Sequence, residues 1–139
     1  MTPGAVLMAA VEAFLRDELA TQTGAYTAYQ ARIAANLLAL LRREAEIGAT
    51  LQALDREFAR ERGLDAASIP AGVARALRDA AIDESTALFD YLRLRSLLAL
   101  AIDNPRYSGY RQAREAWPES VAALDALIAS ASDGDDNSV

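Results

Sequence analysis

Seven large apolar residues between Thr86 and Ile102 (Leu88, Phe89, Leu92, Leu94, Leu97, Leu98 and Leu100) fall on every side of a helical wheel. A helix that is apolar all round has to be wrapped by other elements or by lipid. No apolar run in the chain approaches the roughly 20 residues that span a bilayer, so the wrapping must come from protein. Alanine, the best helix former, supplies 32 of the 139 residues, and no segment shows the alternation of a strand. The expected fold is therefore all-α, a single-domain helical bundle of about six to seven helices over residues 1–131, with 86–102 as its central helix. A chain of 139 residues can bury such a core without disulfides or metals.

The surrounding helices follow from punctuation and period. Thr2-Pro3 reads as an N-cap and first-turn proline, opening a helix that runs to about Ala20 before "TQTG" breaks it. A second helix is expected from Ala25 to Ile47, with Gly48 closing it. Its residues Tyr26, Tyr29, Ile33, Leu37, Leu40 and Leu41 lie within about 120° of one another, a stripe expected to face the core. A third helix, Thr50 to Arg62, turns Leu51, Leu54 and Phe58 inward, and Gly63 ends it. Its Asp55, Glu57 and Glu61 alternate with arginines, as a solvated face does. After the linker "LDAASIP", Pro70 should open a fourth helix with Val73, Leu77 and Ala81 inward. Asp83 or Ser85 caps the central helix, and Asn104-Pro105 ends it, because the residue before proline is pushed out of the α region. A short helix with Ser108 as its cap and a last one after Pro118, with Val121, Leu124, Leu127 and Ile128 inward, complete the bundle. Trp117 is expected to plug the hinge between them. The tail 132–139 is acidic and expected to be disordered.

Empty residue classes narrow the chemistry. The chain has no histidine, cysteine or lysine. That removes Ser-His-Asp and Cys-His catalysis, Schiff bases and a P-loop lysine, and leaves no donors for a usual zinc site. No cofactor and no metal are expected. The net charge of −6 disfavours nonspecific binding to nucleic acid or an anionic membrane. The N-terminus lacks the basic start of a signal peptide, so a cytoplasmic location is expected. All 14 cations are arginines, which stay charged and make planar two-point contacts with carboxylates and phosphates.

Two groups of polar residues call for a purpose. On the second helix Arg32, Asn36 and Arg43 lie within about 40° of each other beside the apolar stripe, and Glu44 falls near its centre. One reading pairs Glu44 with Arg93 or Arg95 of the central helix as a structural ion pair. The other is a polar cleft between the two helices that receives a ligand. The second group is "AIDNPRYSGY", Ala101 to Tyr110, where Asn104, Arg106, Tyr107 and Tyr110 either make a turn at the core edge or offer guanidinium and phenol donors to an anion.

"YQARIAANLLALLRREAEIG", Tyr29 to Gly48, together with "AIDNPRYSGY", resembles the two characteristic blocks of a small bacterial family of uncharacterised helical proteins, domain of unknown function 6285. The resemblance implies that Arg32, Asn36, Asn104, Arg106 and Tyr107 are the family-like positions. Gln30 departs, where the family is associated with histidine. It also implies a gene neighbourhood of aminoglycoside-phosphotransferase-like kinases and acyl-CoA dehydrogenases, but no activity. The expected function is a non-catalytic accessory protein for a phosphotransferase-like enzyme. The alternative is a binder of an anionic small molecule, such as a phosphorylated or CoA-linked metabolite, in an Arg/Asn/Tyr-lined cleft. An accessory surface would leave Arg32, Asn36 and Arg106 exposed on one face, whereas a pocket would gather them in a concavity. A homodimer is also expected, from alanine-rich faces that permit close self-packing.

Overall fold

The computed structural model describes residues 3–64, 69 and 71–133, and all regular structure among them is helical. The cap Thr2, the helix-opening Pro70, most of the "LDAASIP" linker and residues 134–139 of the acidic tail lie outside the described residues. Helix α1 spans Pro3–Ala13, continues through a π-helical turn, Phe14–Leu19, and closes with the short α2, Ala20–Gln22. The chain reverses at Thr23-Gly24 into α3, Ala25–Arg62. Then come α4 (Ala71–Arg78), α5 (Thr86–Asp103), α6 (Ser108–Ala116) and α7 (Pro118–Asp133). The last helix therefore runs two residues into the segment expected to be disordered.

The second and third expected helices are one 38-residue helix. Gly48 does not end it. A glycine inside a helix costs only about 1 kcal/mol, and burial on both sides of it outweighs that. Gly48 is buried, and the Glu44 carboxylate lies over it, an exposed side chain that could move aside for a Cβ. The true stop is Gly63, whose φ of 64° lets the Leu64 amide reach back to the Ala59 carbonyl at 2.9 Å.

The core forms where the wheel of α5 requires it. Leu97 and Leu98 have no exposed surface and pack with Leu124 of α7 and Tyr110 of α6, while Leu94 and Trp117 close the edge. A second cluster joins Phe58 of α3, Val73 of α4, and Leu88 and Tyr91 of α5. Phe89 departs from the all-round burial and is about half exposed. Ala81 is also exposed, since α4 ends at Arg78 and Ala76 takes the inward position instead. Ser85 is the cap of α5, accepting from the Leu88 amide at 3.2 Å. Tyr107, not Ser108, precedes α6 in the cap position.

The largest correction concerns the stripe on α3. Tyr26, Tyr29, Ile33, Leu37 and Leu41 are exposed. In this half of the helix the buried residues are Ala28, Ala31, Ala35 and Ala39, on the opposite face. Helix α1 lies antiparallel on that alanine face and presents Ala5 and Glu12 to it. The small residues of the α3 face let the helices approach closely, and the Glu12 carboxylate finds its counter-charge there in Arg42. This alanine face is thus used within the chain.

Candidate functional site

The hairpin of α1 and α3 meets the turn after α5 at a cleft of about 580 Å³. Its polar lining comes from three places: Glu12 and Arg16; Asn36, Arg42 and Arg43; and Asp103, Asn104 and Arg106. Four guanidiniums face two carboxylates in a chain that is acidic as a whole.

Each side chain is held by a specific contact. Glu12 is almost fully buried and accepts from Arg16 Nη1 at 2.7 Å. Arg16 lies in the π-helical turn, a distortion that recurs at functional positions in helices. Its Nη2 reaches Asn36 Oδ1 at 3.3 Å. Arg42 stands between two carboxylates, with Nη1 bonded to Glu46 Oε2 at 3.3 Å and Nε lying 3.5 Å from Glu12 Oε2. That Nε is buried and makes no hydrogen bond to another described residue. Arg43 Nε donates to the Ile102 carbonyl at 2.6 Å, and its Nη2 to the Asp103 carbonyl at 3.2 Å. These contacts satisfy carbonyls at the C-terminal end of α5, where the helix dipole favours a cation. Burial first, then the neighbouring Arg42, holds the Arg43 guanidinium below its ordinary pKa. Arg106 lines the cleft with no hydrogen bond or ion pair to another described residue.

The structure therefore brings Asn36 and Arg43 together with Asn104 and Arg106, although some sixty residues separate the two segments. Other expected site residues lie elsewhere. Arg32 is exposed and does not line the cleft. Glu44 is exposed with its carboxylate over Gly48, and its expected partners are taken: Arg95 by Asp55 and Arg93 by Asp90. Tyr107 is exposed with its ring over Gly109, and Gln30 is exposed and donates to the Tyr26 hydroxyl at 2.9 Å. Tyr110 is buried in the core, where its hydroxyl accepts from Arg114 at 3.2 Å.

Glu12, Arg16 and Arg42 were not among the expected site residues. Their signal was present: Glu12 and Arg16 stand four apart on a helix, and Arg42 falls in line with Ala28, Ala35 and Ala39 on the wheel. Asp55 was expected on a solvated face. It instead accepts from Arg95 Nε at 2.9 Å and Nη2 at 3.2 Å, and from the Tyr91 hydroxyl at 2.8 Å.

A second concavity, about 800 Å³, opens between α3, α5 and the α6–α7 junction. Phe58 and Tyr91, stacked 3.8 Å apart, and Trp117 line it. Arg62 lies over Phe58 and Arg93 over Trp117, which places the expected hinge residue at the rim of a groove. Among the described residues no group of three or more carboxylates could hold a metal ion, and no helix is long and apolar enough to cross a membrane.

Fold and cleft together define a class: an all-α protein that gathers arginines from three segments around one small concavity. Comparison with curated proteins and with solved structures gave no match. A family model, Domain of unknown function (DUF6285), matches residues 21–107, and the chain belongs to that family. The matched region contains the α3 and Asn104–Arg106 walls of the cleft, while Glu12 and Arg16 precede it.

Proposed function

We propose that the protein binds a small anionic molecule, one bearing a phosphate or a carboxylate, in the cleft between α1, α3 and the turn after α5. The observation that carries the reading is the buried Arg42 Nε, which sits 3.5 Å from the Glu12 carboxylate but makes no hydrogen bond among the described residues. The cleft lining also offers Arg106, unpaired among those residues. A buried donor left unmet costs about 1–3 kcal/mol, which an anion oxygen would relieve. Guanidinium forks give such an oxygen pair two-point contacts. A phosphorylated or CoA-linked metabolite has this chemistry. With no histidine, cysteine or lysine beside the cleft, the reading is one of binding without catalysis.

Isothermal titration with inorganic phosphate, pyrophosphate and coenzyme A tests it. At least one probe should bind, more weakly as salt rises. Arg106→Ala should weaken binding tenfold or more, and Arg111→Ala, outside the cleft, should not. Absence of heat with all three probes at millimolar concentration would remove the reading.

A second reading, an accessory protein for a phosphotransferase-like enzyme, draws support from Val6, Leu7, Val11 and Phe14, which stand exposed on the side of α1 away from α3. Co-purification with such an enzyme, abolished by Leu7→Glu, is its expected result.

A further inference from the structure

The exposed face of α3 has an internal symmetry. Its exposed residues Tyr26, Tyr29, Ile33, Leu37, Leu41 and Glu44 are spaced 3, 4, 4, 4 and 3, so this row reads the same from either end, while the half-buried Leu40 at its edge falls opposite Gln30. Position by position, Tyr26 mirrors Glu44, Tyr29 mirrors Leu41, and Ile33 mirrors Leu37. The middle four are three aliphatic residues and Tyr29, and the two ends, a phenol and a carboxylate, are complementary.

We infer that α3 pairs antiparallel with α3 of a second copy of this chain through this face, around a two-fold axis between Ile33 and Leu37. A two-fold interface must be self-complementary, each residue meeting the mirror position of the other copy. Spacings of three and four belong to any helix face, so the row permits this pairing. What favours a second copy is the match of its ends, a phenol donor at one and a carboxylate acceptor at the other, together with its area. At the row's ends the Tyr26 hydroxyl already accepts from Gln30. Its own proton is left to donate to the Glu44 carboxylate of the second copy.

The size of the face agrees. Tyr26 is 74% exposed, Tyr29 61%, Leu37 and Leu41 56% each, and Ile33 42%. These five side chains present about 600 Å² of mostly apolar surface, at the top of what a monomer usually leaves open. With its flanks, the face approaches the roughly 800 Å² per partner of a stable interface. The row spans about 27 Å of helix. It begins where α5 stops, since Ile102 at the end of α5 sits against Arg43. Farther along α3, the same side of the helix carries Leu51, Leu54 and Phe58, which the chain's own helices cover.

Sedimentation velocity of the full chain over a range of concentrations tests the inference. The expected result is a species of twice the 14.9 kDa chain mass at micromolar concentration. Ile33→Glu with Leu37→Glu should raise the dissociation constant at least a hundredfold. Because both residues are exposed in the single chain, circular dichroism and the unfolding of that variant's monomer should be unchanged. Leu7→Glu, on the outer side of α1, should leave the dimer intact. The chain has no cysteine, so register can be read directly. A mixture of Tyr29→Cys and Leu41→Cys chains should form the mixed disulfide in preference to either homodimeric one. A monomer at 100 µM, a dimer that survives the double glutamate change, or equal cross-linking in all three combinations would each overturn the inference. These outcomes are independent of the anion titrations, because none of the changed residues lines the cleft.

Discussion

The two halves of α3 carry one apolar side and treat it in opposite ways. From Ile47 to Phe58 that side is packed under α5 and α7, with Ile47, Leu51 and Leu54 against the core and Phe58 buried. From Tyr26 to Leu41 it faces solvent, and the helix is held from behind, by α1 on the alanines. The first half is a hairpin fastened by small residues and the Glu12–Arg16–Arg42 contacts. The second is part of a leucine-rich bundle. Full burial of a large apolar side chain contributes about 1.5–3 kcal/mol, so leaving five of them out forgoes on the order of 10 kcal/mol. A chain tolerates that where the face has another use, and here the cleft and the exposed row both belong to the hairpin half.

Parallel truncations in the two halves should break the comparison most sharply. Leu97→Ala or Leu124→Ala should lower unfolding stability by about 3 kcal/mol in urea titrations, as cavities at fully enclosed leucines do. Leu37→Ala should change the stability of the dilute chain by less than about 0.5 kcal/mol. Equal losses would mean that the halves are not distinct. Next in size is the ion pair that ties α3 to α5. Asp55→Ala strands the Arg95 guanidinium and the Tyr91 hydroxyl in a half-buried setting and should cost about 2 kcal/mol. Glu57→Ala, whose partner Arg60 is exposed, should cost almost nothing by the same titration.

In the hairpin half, Glu12→Gln removes the charge between Arg16 and Arg42 and should cost about 1 kcal/mol. Hydrogen exchange should show the loss in α1 amides, with those of Leu97 and Leu98 unmoved. The smallest effect is a pH dependence confined to the bundle half. Burial first, then the bond to Asp55, raises the Tyr91 phenol above its ordinary value of 10. The folded state therefore keeps this proton longer than the unfolded chain does. Its contribution is complete below pH 10 and declines as pH rises above it. Tyr91→Phe should make the alkaline fall in stability shallower, as followed by chemical unfolding at pH 9 and pH 11.

The legible parts of the fold were those written locally. The all-round apolar wheel of 86–102 predicted a central rod, and Leu97 and Leu98 occupy it. Asn104-Pro105 and Gly63 marked real ends, because proline and left-handed glycine act within a turn of their own position. Gly48 misled for the converse reason, since tertiary burial outweighed its weak local preference. Half of the candidate site was legible too: Asn36 and Arg43 stood together on the wheel, and Asn104 and Arg106 stood together at a turn. Glu12 was hidden because its significance depends on Arg42, thirty residues away across the hairpin.

Sequence alone determined that this chain is helical, where most of its helices begin and end, and which one lies at the centre. Those outcomes follow from propensity and period, which each segment expresses without reference to the rest. The tertiary structure decided which side of α3 meets the chain's own helices and which arginines share a cleft. A wheel offers two usable faces, one of alanine and one of large side chains. The choice fell to the partner that arrived, because small residues permit close approach and a buried carboxylate must find its counter-charge.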